Sequence, residues 1–214
     1  MIDLSSFGTP NGREITVWLE EMGLPHRVHV VDITKAEQFA PEFLRIAPHN
    51  RIPAIVDPDG AGGAPASVFE SGAILLYLAE KTGRFLPGHL AGRNPVWEWL
   101  MWQVGGLGPM PGQVNACLLV QDEAARAHPL DRYRWERDRL CGVLDRRLAG
   151  REFVATEGEP SIADFAILGW VRRADRRRVD LAAQPAVQAW YGRMMARPAV
   201  ARGFAVRMRY AEAA

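Results

Sequence analysis

The chain has 214 residues, 48% of them hydrophobic and 24% charged, and its 26 Lys and Arg against 25 Asp and Glu leave a net charge of +1. That length suits one large or two small domains with a sizeable core, and the near-neutral balance excludes a bulk field that would steer nucleic acid or an anionic membrane. The longest apolar run, Ala73 to Ala79, stops at Glu80, too short to span a bilayer. Met1-Ile2-Asp3-Leu4 has neither a basic leader nor a cleavage site, so a soluble, cytoplasmic protein is expected.

Residues 1–6 read as a strand, and Gly8 to Pro10 turns the chain. Glu14 to Met22 reads as a helix ending at Gly23 and Pro25. His26 to Asp32 alternates like a strand. A helix is predicted from Lys35 to Ile46, with Phe39, Phe43 and Ile46 on one face. Strands at 54–57 and 67–69 flank a Gly/Ala/Pro turn, and a helix follows from Ser71 to Thr82. This βαβαββα order predicts a thioredoxin-like domain over 1–83. Residues 84–94 lack periodicity and read as a linker.

Beyond Pro95 the strand signal vanishes, so 95–214 is predicted to form an all-helical bundle; the fold class is α/β plus all-α. Tyr133, Leu140, Cys141, Leu144 and Leu148 recur at helical spacing within 131–148. Gly105-Gly106-Leu107-Gly108 lacks the Lys-Ser/Thr of a phosphate loop and reads better as a kink in a long helix. Ser161-Ile162-Ala163-Asp164 reads as a capped helix start, its carboxylate reaching back to the Ser161 backbone. Pro185, Val187, Trp190, Met194 and Met195 mark one more helix, closed by Arg197-Pro198. Arg172, Arg173 and Arg176 to Arg178 form the one basic cluster and read as a solvated helix face, because no aromatics interleave with them.

Two short runs carry the chemistry. In Asn50-Arg51-Ile52-Pro53-Ala54-Ile55-Val56, Pro53 opens an apolar strand, a place where proline is tolerated and where the X-Pro bond is often cis. A cis bond there would turn the Ile52 N–H and C=O outward, toward a ligand that is itself a peptide. In Phe69-Glu70-Ser71-Gly72-Ala73-Ile74, Glu70 and Ser71 stand where a helix begins. Donors at a helix N-terminus bind a carboxylate, and the Glu binds an ammonium. Together these runs predict a pocket for the zwitterionic end of a short peptide.

The two runs resemble the glutathione-binding half of the cytosolic glutathione transferases. Trp102 to Met110, together with Thr9-Pro10-Asn11-Gly12, resembles more narrowly the bacterial Nu class, which is similar in fold to a fungal nitrogen regulator. The likeness extends from Met1 to about Ala205. It implies that Gln38 and Arg51 meet the glycyl carboxylate, that Ile52 pairs with the cysteinyl part, and that Glu70 and Ser71 hold the γ-glutamyl end. It also implies that Arg132 reaches across a homodimer to the neighbouring subunit's glutathione. Taken alone, Gln38 reads more readily as a solvated surface residue, its case resting on the resemblance, whereas Arg132 reads equally as one. His49 and Asn50 are left outside the candidate set.

Thr9 and Asn11 are the candidate catalytic residues. A thiol with a pKa of ~8.5 is only about 3% thiolate at pH 7, and lowering it to ~6.5 makes it roughly 75% thiolate. That shift requires about 2.7 kcal/mol. A helix N-terminus supplies ~0.3–1 kcal/mol, so direct donors worth roughly 1.5–3 kcal/mol each must supply the rest. The Thr9 hydroxyl and the Asn11 amide groups suit that task; on the other reading, Thr9 caps the helix and Asn11 fills a turn. Ser5 and Ser6 read as structural, and no Tyr stands where many related enzymes have one.

Cys117 and Cys141 lack a Cys-x-x-Cys spacing and sit in apolar helical sequence, so any reacting thiol comes from outside. The resemblance implies a glutathione-dependent disulfide reductase acting without metal. Its alternatives are conjugation to electrophiles, peroxide reduction, or a non-catalytic glutathione-binding regulatory module.

Overall fold

The computed structural model describes residues 1–171 and 183–208, so the arginine cluster at 172–178 lies outside the described residues. Four short strands, β1 (Ile2–Ser6), β2 (His26–Val30), β3 (Ala54–Asp57) and β4 (Ala66–Phe69), form one sheet in the order β2-β1-β3-β4. β1 runs parallel to β2 and antiparallel to β3, and β4 runs antiparallel to β3. Side chains alternate along β1, burying Ile2, Leu4 and Ser6. Helices α1 (Pro10–Met22) and α3 (Ser71–Thr82) pack on each other, and each brings an apolar stripe: Ile15, Trp18 and Leu19 from one, Ile74, Leu75 and Leu78 from the other. A separate cluster of Val31, Phe43, Ala47 and Ala54 is flanked by Ile46 and Ile52.

The helix predicted over Lys35 to Ile46 is broken in the structure. Turns of 3₁₀ helix at Ile33–Lys35 and Glu37–Phe39 precede a short α2 (Pro41–Leu44). Ala36 is left-handed, with φ 61, and Pro41 has no N–H to continue a helix entering from before it. Asp57 ties β3 to α3: its carboxylate accepts from Tyr77 Oη at 2.7 Å and Lys81 Nζ at 2.6 Å. Burial alone would raise this carboxyl, but Lys81, Tyr77 and the Asp59 amide together hold it below its ordinary value. The Tyr77 phenol, desolvated and bonded to that carboxylate, is pushed up to about 12.

The remaining helices are α4 (Leu90–Trp102), α5 (Pro109–Leu118), α6 (Glu123–Leu148), α7 (Ile162–Val171), α8 (Pro185–Met195) and α9 (Pro198–Ala205). Thus the protein combines a thioredoxin-like α/β sheet with a helical region, as the sequence predicts. The first turn of α4 falls inside the stretch read as linker. A π-helical turn at Gln103–Leu107, spanning Gly105 and Gly106, joins α4 to α5. α6 starts eight residues before the predicted Asp131, because Asp122 caps it through Ala124 N and Ala125 N and the helix continues through Pro129.

By packing, the chain divides into Met1–Thr82 with Met195–Ala214, and Gly83–Met194. α9 therefore belongs with the sheet. It lies so close to α1 that a Cβ on Gly203 would stand 2.4 Å from Val17 Cα and 2.7 Å from Val17 N. Thr16 Oγ1 donates to Gly203 O at 2.9 Å, Arg13 Nη1 donates to Val206 O at 2.7 Å, and Arg197 grips Glu21 with two bonds of 2.6 and 2.8 Å. Gly203→Ala should force the two backbones apart and lower stability by about 3 kcal/mol. Thermal unfolding checks it, and an unchanged midpoint would show that the helices slide at no cost.

Candidate functional site

Strand register gathers the candidate residues of the first unit at one end of the sheet. Ser5 at the close of β1 stands opposite Ala54 at the start of β3, and Ala54 stands opposite Phe69 at the end of β4. β2 ends at the same level, with Ser6 opposite Val30. Four segments therefore leave the sheet together: the turn to Thr9 and Asn11, the segment containing Gln38, the approach through Arg51 and Ile52, and Glu70 with Ser71. α1 and α3 both begin here, so two positive helix ends stand at one site.

Thr9 is the N-cap of α1, with extended backbone (φ −93, ψ 166), and its Oγ1 accepts from Gly12 N at 3.3 Å. Its carbonyl accepts from Arg13 N at 3.0 Å. Because the hydroxyl uses a lone pair for the cap, its hydrogen can be given to another acceptor. The two readings of Thr9, helix cap and donor to sulfur, are therefore compatible. Pro10 brings no N–H to this turn, and Asn11 presents a half-buried side chain. Glycine at position 12 is what lets α1 start this close to β1: a Cβ there would fall 2.2 Å from Phe7 O and 2.4 Å from Ser6 Oγ. Ser6 is wholly buried beneath that turn, and its Oγ reaches Phe7 O at 3.5 Å.

Arg51 is exposed, and Ile52 is half-buried against the Val31–Ala54 cluster. The Ile52–Pro53 bond is cis. Ile52 lies outside the ladder, whose register with β1 and β4 begins at Ala54. Gln38 sits in the Glu37–Phe39 turn with its Oε1 buried and without a hydrogen-bond partner. Glu70 precedes α3, its carbonyl accepting from Ile74 N at 2.9 Å, and Ser71 is the buried first residue of that helix. Glu70 holds a left-handed backbone (φ 71), as does Asn50 (φ 52). Non-glycine residues in that region cost roughly 1–3 kcal/mol and gather where a ligand is bound.

Arg132 is exposed on α6 in the second unit. Cys117 on α5 and Cys141 on α6 are both buried in that unit. His49 was missed. Its Nε2 lies 3.1 Å from Glu70 Oε1, a contact made across the loops by strand register, and the pairing of 54–57 with 66–69 is the signal that could have found it. Among the described residues no three His, Cys, Asp or Glu side chains gather as a metal would require, and no helix is long and apolar enough to cross a membrane.

The model of the glutathione S-transferase N-terminal domain matches residues 9–81, and that of the C-terminal domain matches 112–198. The chain belongs to the glutathione S-transferase family. It is an enzyme of that family and is 50% identical over 200 residues to the disulfide-bond oxidoreductase YfcG of Escherichia coli, covering 93% of this chain and 92% of YfcG. Among solved structures it is similar to a Burkholderia graminis glutathione transferase with two glutathione molecules bound per subunit (TM-score 0.91, 42% identity, 98% of this chain and 89% of that one). A Pseudomonas putida glutathione transferase with one glutathione disulfide bound per subunit gives a TM-score of 0.88 at 43% identity, over 96% of this chain and 91% of that one.

Proposed function

We propose that this enzyme is a cytoplasmic, homodimeric, glutathione-dependent disulfide-bond reductase of the Nu class. The observation that carries the reading is the meeting of Thr9 and Asn11, the Ile52 segment and Glu70–Ser71 at two helix N-termini. These groups match the parts of glutathione one by one. Glu70 takes the α-ammonium, and Ser71 with the start of α3 takes the α-carboxylate. The Ile52 backbone pairs with the cysteinyl residue. Arg51 and the Gln38 amide NH2 donate to the glycyl carboxylate, and the buried, unpartnered Gln38 Oε1 is an acceptor for the glycyl N–H. Arg132 from the partner subunit adds a positive charge.

The reaction needs no protein sulfur. The bound thiol ionises beside Thr9 and Asn11, and its thiolate attacks one sulfur of the substrate disulfide. The S–S bond breaks, and the departing thiolate takes a proton. A second glutathione attacks the glutathione sulfur of the mixed disulfide, releasing the other substrate thiol. In sum, two glutathiones and one disulfide give glutathione disulfide and two thiols. The neutral donors stabilise the attacking sulfur's charge without neutralising it by proton transfer.

The deciding experiment compares glutathione-dependent turnover of a small aliphatic disulfide with conjugation to a chloronitrobenzene, beside calorimetry of glutathione binding. The disulfide should be turned over at least tenfold faster by kcat/KM, a difference of about 1.4 kcal/mol. Faster conjugation would make the protein a transferase of electrophiles, and binding without turnover of either would make it a regulatory module.

A further inference from the structure

His49 stands between the two segments that hold the peptide ligand. Its ring lies against Phe69, the last residue of β4, with centroids 4.7 Å apart and planes tilted 40°. Its Nε2 meets Glu70 Oε1 at 3.1 Å, and its Nδ1 is buried without a hydrogen-bond partner. A nitrogen buried with no acceptor beside it is the lone-pair nitrogen, so the tautomer consistent with this geometry puts the hydrogen on Nε2, donated to the carboxylate.

We propose that His49 is the positioning residue of the γ-glutamyl subsite: it fixes the Glu70 carboxylate so that the ligand's α-ammonium meets an already oriented acceptor. This rests on the reading of Glu70 given above. The Glu70 side chain is 53% exposed and that of His49 26%, so the carboxylate is anchored on its protein side by one oxygen while the other stays available. An exposed glutamate has three rotatable bonds, and without its anchor that freedom must be lost when the ligand binds. The same ring ties the segment of Arg51 and Ile52 to that of Glu70 and Ser71, joining the two left-handed positions, Asn50 and Glu70.

His49→Phe keeps a ring for Phe69 and removes the donor, whereas His49→Gln keeps a donor; His49→Leu is a second donor-less variant should the Phe protein not fold. Binding is read by calorimetry with glutathione and with its analogue lacking the α-amino group, and turnover on the disulfide gives kcat and KM. His49→Phe should raise Kd and KM for glutathione about fivefold, with kcat within about twofold of wild type. His49→Gln should restore most of the loss, and the deaminated analogue should bind wild type and His49→Phe alike. An equal loss with the deaminated analogue, or a kcat that falls in step, would make the residue merely structural and overturn the proposal. Glu70→Gln separates the two levels. If it leaves glutathione binding intact, the subsite reading falls and the proposal with it; if it weakens binding while His49→Phe does not, only the role of His49 is lost.

Discussion

Asp164→Ala is expected to remove about 4 kcal/mol or more of stability, because it orphans four buried donors at about 1–3 kcal/mol each. Asp164 is fully buried, and its two oxygens take everything around them. Oδ1 accepts from Val154 N and Trp190 Nε1, both at 2.9 Å. Oδ2 accepts from Ser161 N at 2.9 Å and Ser161 Oγ at 3.0 Å. One carboxylate thus starts α7, holds the 153–155 segment and anchors the core tryptophan of α8. Asp164→Asn retains one acceptor but turns its amide toward the Ser161 donors, so an intermediate loss is expected. Equilibrium urea unfolding followed by tryptophan fluorescence measures both; a loss for Asp164→Ala below about 1 kcal/mol would mean that water replaces the carboxylate without penalty.

Burial pushes the Asp164 carboxyl above its ordinary value of 3.8, although the four donors pull it back. A raised folded-state pKa means that the folded protein keeps the proton at a pH where the unfolded chain has lost it. This stabilising term is present below the unfolded value and is lost as pH rises through the folded one. The penalty of Asp164→Ala should therefore be at least as large at about pH 5 as at about pH 7.5. A carboxylate with a depressed pKa would show the reverse, its contribution fading toward acid.

The elements that surround the site were legible because their signals are local. Alternation marked β2, Gly23 and Pro25 closed α1, Glu70-Ser71 marked the start of α3, and Ser161 with Asp164 announced a capped helix. Where the reading failed, a local signal was outweighed. The apolar spacing that marked 131–148 begins only at Tyr133, whereas the helix is capped by Asp122 and runs through Pro129, and the apolar spacing of Phe39, Phe43 and Ile46 argued for a helix that Ala36 and Pro41 interrupt. α9 was not read from the sequence, where Arg197-Pro198 only closed the preceding helix, although Pro198 stands at its first turn; nor was its attachment to α1, because a glycine flush against Val17 has no one-dimensional signature. The same holds for the contact of His49 with Glu70: strand pairing makes it, and the sequence separates the two by twenty residues.

Replacing both Thr9 and Asn11 with alanine should move the ionisation of bound glutathione upward by about 1.5 units, the part of the shift that the helix N-terminus does not supply. The measurement is thiolate absorbance near 240 nm, titrated with saturating glutathione against each protein. At pH 7 the thiolate fraction should fall from roughly 75% to about 9%. Turnover should fall less steeply than this roughly eightfold loss. A thiolate of higher pKa is the stronger nucleophile, with a Brønsted slope of about 0.4–0.5, so about 1.5 units return roughly four- to sixfold. Ionisation alone therefore predicts a turnover loss of only about twofold at pH 7, and any larger drop measures what the two side chains contribute by holding the sulfur in line with the disulfide. Thr9→Ser should keep the thiolate, because it retains both the lone pair that caps Gly12 and the hydrogen given to sulfur. An unchanged midpoint in the double variant would show that the two helix N-termini and the site's cations stabilise the charge by themselves, and the role assigned to these two residues would be withdrawn.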